Sequence, residues 1–560
     1  MLRAATVLLT FIVSSLGLSE RVLSQTTSGQ ISEALRDRIE AAGIPVKLQV
    51  GNEVILSSMA LPQFYEQRIY QPAWSTDAGP LPQANELMNV IRYAYLEGLT
   101  PADYHLEKIE KILTELLAER TRRIPPDIQK YADLDFLLTD AFLTYGEHLQ
   151  LGRIDPETIR PEWEVNHNGV NLVGILQGAL EKNQIQLALF KLLPIEPEYD
   201  HLRNALAEYR NLERKGGWPS VPKGLVLKKG DKDKRVATLR KRLMITGDCA
   251  ATVNESDPEF DQFDDSLELA VKKFQKRHGL DTNSTADSLT VAALNVPVGE
   301  RVRQIVLNME RWRWLPQALG QRYIAVNVAN FELDVIEDMK SVLTMRVIVG
   351  KAYHSTPFIS DKMTYLVLNP YWNVPPSIAA KELAPLARKN PGYFAKNNMK
   401  VYKGWGADAL EVDPATVNWA KVTEKNIPYQ IQQMPGSKNS LGRIKFMFPN
   451  KFNVYLHDTP SRELFKKLER VFSHGCIRIE KPIELALYLL RDDPKWSREK
   501  ILDALKTNEE RTVRLPEPIP VYVLYWTAWS DESGAVSFRR DIYDRDKPLA
   551  DALGEAPPKP

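Results

Sequence analysis

Cysteine occurs twice in this chain of 560 residues, at Cys249 and Cys476, and only the second stands in company that could use a thiol. It closes the run Ser473-His474-Gly475-Cys476, and His457 lies upstream with fifteen residues between it and Ser473. A thiol attacks a carbonyl as its thiolate, and an ordinary cysteine near neutral pH is mostly protonated. An imidazole close in space can take that proton. Phe452, Val454 and Leu456 alternate with Asn453, Tyr455 and His457. This predicts a strand over 452–457 with Tyr455 and His457 on one face, turned toward a cleft. Gly475 removes bulk where a substrate carbonyl must approach the backbone. The N–H groups about Gly475 and Cys476 are candidates to stabilise an oxyanion. Taken singly, a strand histidine is most often structural and a cysteine a small core residue. Their spacing favours a nucleophile and its base. The competing use is a zinc site of His457, His474 and Cys476, which neither an HExxH nor a paired CxxC supports.

The elements that must position these groups fill a chain too long for one core. Composition is that of globular protein, with 44% hydrophobic and 26% charged residues. A formal net charge of +1 carries no polyanion-binding signature, so no nucleic-acid partner is expected. Met1-Leu2-Arg3, an apolar run to Leu18 and small residues at Ser19 and Ser24 read as a secretory signal peptide over 1–24. An uncleaved N-terminal anchor is the alternative. Two cysteines in an exported chain commonly pair, but their surroundings point to a free thiol at Cys476 and an incidental Cys249.

Residues 25–55 are weakly patterned. Apolar spacings of three and four over 84–96 and 134–149 predict helices within a helical region over 55–220, closed by Gly217-Trp218-Pro219. Three short helices are expected within 227–296. Val236, Leu239 and Leu243 share one face, Leu267, Ala270, Val271 and Phe274 another, and Leu289, Ala292 and Ala293 a third. A helix over 301–314 with Ile305, Met309 and Trp312 as its buried stripe leads to a strand-rich region over 320–546. A polar stretch over 377–436, helical and irregular, interrupts that region as an insertion. A β-hairpin is expected around 531–534, and 547–560 reads as a disordered tail. The fold class is multidomain α+β.

His457, the gap of fifteen and Ser473-His474-Gly475-Cys476 together resemble the catalytic signature of the L,D-transpeptidase family. That signature often has asparagine two positions past the cysteine; Arg478 stands there here and suits a substrate carboxylate. Asn369-Pro370-Tyr371-Trp372-Asn373-Val374-Pro375 and Leu441-Gly442-Arg443-Ile444-Lys445-Phe446 resemble blocks of the large Gram-negative members. Gly230-Asp231, Phe274-Gln275, Gly279-Leu280 and Ala293-Leu294-Asn295 resemble a peptidoglycan-binding domain. The resemblance implies a helical scaffold, a peptidoglycan-binding module and a β-rich catalytic domain with a capping insertion, placed in the periplasm. It implies Cys476 as acylated nucleophile, His457 as base, Ser473 and His474 as groups that shape the pocket, and Gly475 in the oxyanion site. Tyr455, Arg478, Trp372 and Asn373 would meet substrate.

The implied reaction cross-links peptidoglycan stem peptides. Cys476 attacks a tetrapeptide donor between the L-centre of meso-diaminopimelate and the terminal D-alanine. The diaminopimelate amine of an acceptor stem then resolves the thioester as a 3→3 link. The resemblance also implies acylation by carbapenems and no cofactor or metal. With water as acceptor the chain would be an L,D-carboxypeptidase, and with a lipoprotein as acceptor it would attach that protein to the wall. Were the motif unused, it would be a wall-binding scaffold protein. Cell-wall synthases or lipoproteins are the partners such an architecture suggests.

Overall fold

The computed structural model describes residues 26–43, 47–161, 163, 169–250, 254–406 and 408–554. The N-terminal apolar run therefore lies outside the described residues. Among those described, no helix is long and apolar enough to cross a membrane.

Helix Ile128–Leu151 is the axis of the helical region. Asp127 starts it by accepting hydrogen bonds from the Gln129 and Lys130 N–H groups. The face predicted for it, Leu134, Leu137, Leu138, Ala141, Phe142 and Tyr145, is buried. Asp135 and Thr139 are buried too, because helices close on the axis from several sides. One of these is Thr27–Ala41, in the stretch that carries weak pattern. Its Ile31, Leu35 and Ile39 supply one buried apolar residue per turn, a stripe too narrow to stand out in sequence. Arg38 fixes it to the axis through Asp133 at 2.7 Å.

The small module has its three helices at Lys234–Ile245, Asp265–Arg277 and Ser288–Leu294, each begun by an aspartate cap. They enclose Val236, Leu239, Leu267, Phe274 and Leu294 together with Cys249, which is buried and unpaired.

Helix Val298–Arg313 then runs between the helical region and the β-rich domain. Ile305, Met309 and Trp312 are buried as the pattern predicts, but so are Asn308, Glu310, Arg311 and Arg313. Charges taken from water need partners. Arg313 pairs with Glu310 at 2.9 Å and Arg311 with Asp546 at 2.6 Å, and Trp312 stacks on Trp526 with centroids 4.4 Å apart. Asp546 opens a helix, Asp546–Leu553, where the sequence predicts disorder. Leu549, Ala550 and Leu553 bury themselves in the core that holds Trp163, Tyr199 and Trp314. Eight residues are too few to hold a helix alone; packing holds this one.

Among the described residues, nine strands build the sheet of the strand-rich region. They are β1 (Arg322–Asn327), β2 (Glu332–Glu337), β3 (Lys340–Gly350), β4 (Ile359–Leu368), β5 (Ile444–Met447), β6 (Leu456–His457), β7 (Val471–Ser473), β8 (Ile477–Ile479) and β9 (Arg511–Leu524). Around the ring, β1, β2 and β3 form an antiparallel meander, and β3 continues to β8. β8 lies parallel to β6, and β6, β5, β4 and β9 follow antiparallel. β9 returns parallel to β1. Eight strands thus close on themselves, leaving β7 added beside the end of β3. Ile324, Leu333, Val347, Leu366, Phe446, Leu456, Ile477 and Ile479 fill the core.

Three details differ from expectation. The strand predicted over 452–457 is only Leu456–His457. Asn450 diverts the residues before it: its side chain bonds the Phe452 and Val454 N–H groups and the Val454 carbonyl, and Asn453 takes a φ of 54°. The insertion carries an antiparallel sheet as well as helices, formed by Trp372–Asn373, Met399–Lys403, Leu410–Val412 and Tyr429–Gln433. Polar and apolar residues are interleaved in these short strands, so no apolar run announces them. The hairpin strands, expected over 521–529 and 535–543, are confined to Ala528–Ser530 and Val536–Phe538, since β9 ends at Leu524.

Removing 547–560 tests the C-terminal helix. The loss of two buried leucines is worth on the order of 3–6 kcal/mol. Full chain and truncation compared by scanning calorimetry should differ by roughly 5–10 °C in the unfolding temperature. An unchanged transition would mean the helix contributes nothing.

Candidate active site

β6 and β8 pair in parallel with Leu456 beside Ile477 and His457 beside Arg478. On the other side of β6, Lys445 of β5 lies opposite His457. Strand alternation sends Leu456, Ile477 and Phe446 into the barrel and leaves two rows on the outer face. One is Lys445, His457 and Arg478; the other is Tyr455 and Cys476. The thiol and the imidazole are therefore diagonal neighbours on one face, a spacing of roughly 7–8 Å between backbones. Tyr455 stands edge-on to His457 with ring centroids 5.7 Å apart, and the Lys445 ammonium sits 3.9 Å from the Tyr455 ring centroid. Tyr455 faces the sulfur and favours its ionised form, and the thiol contacts the Asn453 carbonyl at 3.9 Å.

His457 is held by a backbone group. Its Nδ1–H donates to the Asp458 carbonyl at 2.6 Å, so the lone pair of the neutral ring resides on Nε2. Asp458 is fixed in turn: its carboxylate accepts from the Arg443 N–H at 2.9 Å, and its N–H donates to the Ile444 carbonyl at 2.9 Å. Gly442 permits this approach. It has a φ of 65°, and a Cβ there would lie 2.4 Å from the Asp458 side chain.

The turn bearing Cys476 is stapled from within. Ser473 Oγ donates to the Cys476 carbonyl at 2.5 Å and accepts from the Gly475 N–H at 3.1 Å. Ser473 is buried and shapes the turn from within. One expectation needs correction here. The Gly475 N–H is committed to Ser473 and is not open to an oxyanion; the glycine serves the turn through its φ of 110°. Behind the turn lie groups that sequence reading missed. Thr356, buried, donates to the Gly475 carbonyl at 2.8 Å and accepts from the Gly350 N–H at 3.0 Å. The Tyr543 hydroxyl donates to the Gly350 carbonyl at 2.5 Å. Arg545 donates to the Thr356 carbonyl at 2.8 Å and lies over the Tyr543 and Tyr525 rings. These residues are remote in sequence and ordinary in type. Lys445 was legible in principle, as the one polar position between buried Ile444 and Phe446.

Protonation follows from burial. Desolvation, then Arg478, depresses the His457 pKa to about 3, so the ring is neutral throughout the physiological range. Burial raises the Cys476 pKa, against the Tyr455 hydrogen bonds and the charges of Lys445 and Arg478. Burial also lowers the pKa values of Lys445 and Arg478. The Arg478 Nε is buried without a hydrogen-bond partner. Cys476 and His457 share no hydrogen bond among the described residues, so the resting pair is a thiol and a neutral imidazole. Base geometry of this kind often tightens only when substrate binds.

His474 points to the insertion, where its Nε2 contacts the Glu382 carboxylate. Trp372 and Asn373 lie in the insertion's sheet, paired with Gln433 and Gln432. Trp372 packs against the insertion's own core, and the Asn373 Oδ1 accepts from Gln432 at 2.9 Å. The structure does not bring either to the thiol. No three His, Cys, Asp or Glu side chains converge as metal ligands among the described residues.

Comparison with known proteins agrees with this layout. Residues 321–500 match an L,D-transpeptidase catalytic domain, 232–294 a peptidoglycan-binding domain and 59–206 a scaffold domain. A Haemophilus influenzae protein, itself provisionally assigned as an L,D-transpeptidase, is 32% identical over 247 residues. The match spans 44% of this chain and 49% of that relative, about half its length. A crystal structure of an L,D-transpeptidase segment from Xylanimonas cellulosilytica covers 54% of this chain and 98% of its own. At 14% identity and a TM-score of 0.17 it is too distant to carry an argument.

Two outcomes follow from the protonation states. Alkylation of Cys476 by iodoacetamide, followed by peptide mapping, should accelerate about tenfold per pH unit from pH 6 to 8, as for a thiol titrating above that range. A plateau from pH 6 would instead reveal a preformed thiolate–imidazolium pair. Because the folded His457 resists protonation, the unfolded chain binds that proton first, and stability is lost as pH falls from the ordinary 6.5 toward 3. His457→Gln should flatten this part of the acid-denaturation profile; an identical profile would contradict the depressed pKa.

Proposed function

From a chain that carries an L,D-transpeptidase catalytic domain beside a scaffold and a peptidoglycan-binding domain, we propose a peptidoglycan L,D-transpeptidase that forms 3→3 cross-links through a Cys476 thioester. The observation that carries this reading is the shared outer face of β6 and β8. Cys476 and His457 stand there together, and the Asp458 carbonyl fixes the ring with Nε2 free of its proton.

In the first half-reaction His457 Nε2 takes the thiol proton and the sulfur attacks the donor carbonyl that precedes the terminal D-alanine. The C–N bond breaks, and D-alanine leaves with the proton returned by His457. With the Gly475 N–H occupied, the oxyanion falls to the Cys476 N–H and the Tyr455 hydroxyl, which burial keeps protonated far beyond physiological pH. Arg478, with its unpartnered Nε, and Lys445 give the nucleophile's face a positive character suited to a donor stem rich in carboxylates. In the second half-reaction the side-chain amine of an acceptor diaminopimelate displaces the sulfur. The N-terminal apolar run supports a periplasmic location, where carbapenems would acylate the same sulfur.

Mass spectrometry of purified tetrapeptide stems incubated with the protein tests this. The expected product is a dimer that has lost one D-alanine. A shortened monomer alone would indicate a carboxypeptidase, product only with an added lipoprotein would indicate attachment, and no product would favour a scaffold. Cys476→Ala should abolish product, and His457→Ala should slow acylation by about 10²–10⁴-fold. Unchanged turnover in Cys476→Ala would refute the mechanism.

A further inference from the structure

The second half-reaction poses a charge problem. The acceptor arrives as an ammonium, whereas the nucleophile's face carries Lys445 and Arg478. The carboxylates of Glu510 and Glu463 feel Lys445 and Arg478 electrostatically, and that of Asp458 is held by the Arg443 N–H and Arg462. Glu382 is placed differently. It belongs to the insertion, on a π-helical turn, Ala379–Leu383, a local geometry that recurs at functional sites. Ala379 and Leu383 are buried in the insertion's core, while Glu382 stays about half exposed. Its carboxylate meets the His474 Nε2, two residues from the nucleophile, and the His354 ring lies 5.5 Å from that of His474. The neighbouring Lys381 does not neutralise it, being paired with Glu424 at 2.8 Å. His474 has its side chain a quarter exposed, so the pair is open to solvent and to a ligand.

Resting on the proposed transpeptidase reading, we propose that Glu382 and His474 form the acceptor subsite and that Glu382 binds the attacking primary ammonium. The anionic donor meets the cationic rows on β5 and β8, and the cationic acceptor meets the carboxylate offered by the insertion. On resolution, one ammonium proton passes to the Glu382–His474 pair and on to solvent. The freed lone pair forms the N–C bond to the thioester carbonyl. The C–S bond breaks with its electron pair returning to Cys476, and the second amine proton reaches the sulfur through His457. Water needs no ammonium site, so Glu382 selects transfer over hydrolysis.

The test separates the two half-reactions in the full-length protein. Acylation is followed by intact mass with a carbapenem, and the second step by the ratio of dimer to shortened monomer as acceptor stem is titrated. Glu382→Gln should lower that ratio at least tenfold and raise the acceptor KM, with the loss confined to the second step. Glu382→Asp should restore part of it. An equal fall in acylation and in dimer formation would show that Glu382 only holds the insertion in place, and an unchanged ratio would show that it does not meet the acceptor. Either result overturns the subsite while leaving the transpeptidase reading standing. Failure of the unsubstituted protein to form adduct or dimer would sink both.

Discussion

The chemistry of this protein depends on one parallel contact between two very short strands. β6 and β8 meet over two residue pairs, Leu456 with Ile477 and His457 with Arg478. The inward members bury Leu456 and Ile477 in the barrel and fix the register. The outward members then cannot avoid sharing a face. A slip of one residue would bury Cys476 and expose Ile477, and both apolar burial and the hydrogen bond from the Ile477 N–H to the Tyr455 carbonyl oppose it. Fifteen residues separate His457 from Ser473, yet closing that loop places the imidazole and the thiol on one face of the sheet.

Such short strands need support from elsewhere, and it comes from distant parts of the chain. Thr356, Tyr543 and Arg545 brace the turn that ends in Cys476, and Arg545 also faces Trp163 of the helical region. The neutral bonds of Thr356 and Tyr543 are each worth only about 0.5–1.5 kcal/mol, so the bracing comes from their convergence on Gly350 and Gly475, with Arg545 holding Thr356. Helix Val298–Arg313 continues the connection, since Arg311 pairs with Asp546 one residue beyond Arg545. The helical region, the strut and the C-terminal helix thus form one packed body with the active-site turn. The small module joins the same body through Arg277, which donates to the Val536 carbonyl at 2.7 Å.

Much of this was legible in the sequence, for identifiable reasons. The motif residues are rare types at fixed spacing, and the helices of the axis and the module carry wide apolar faces. What escaped notice was set by tertiary context. Thr27–Ala41 shows one apolar residue per turn, and Asp546–Leu553 is too short to be stable alone, so neither announces itself. The insertion's strands interleave polar and apolar residues because only one face of their sheet has a core. Ser473 and Gly475 stand out in the sequence by their place in the motif, and in the structure one hydroxyl and one N–H satisfy each other inside the turn. Lys445 and Glu382 bear the charges that distinguish the two sides of the proposed reaction, and neither lies in the motif.

The central claim is that the Cys476 sulfur carries the donor acyl group with His457 as its base. The most direct measurement is to trap the protein with a tetrapeptide stem in the absence of acceptor, quench in acid and map the adduct by tandem mass spectrometry. The account requires a mass equal to the stem less D-alanine on the peptide that contains Cys476, formed far more slowly in His457→Ala. An adduct on any other residue, or one that forms at the same rate without the imidazole, would contradict it.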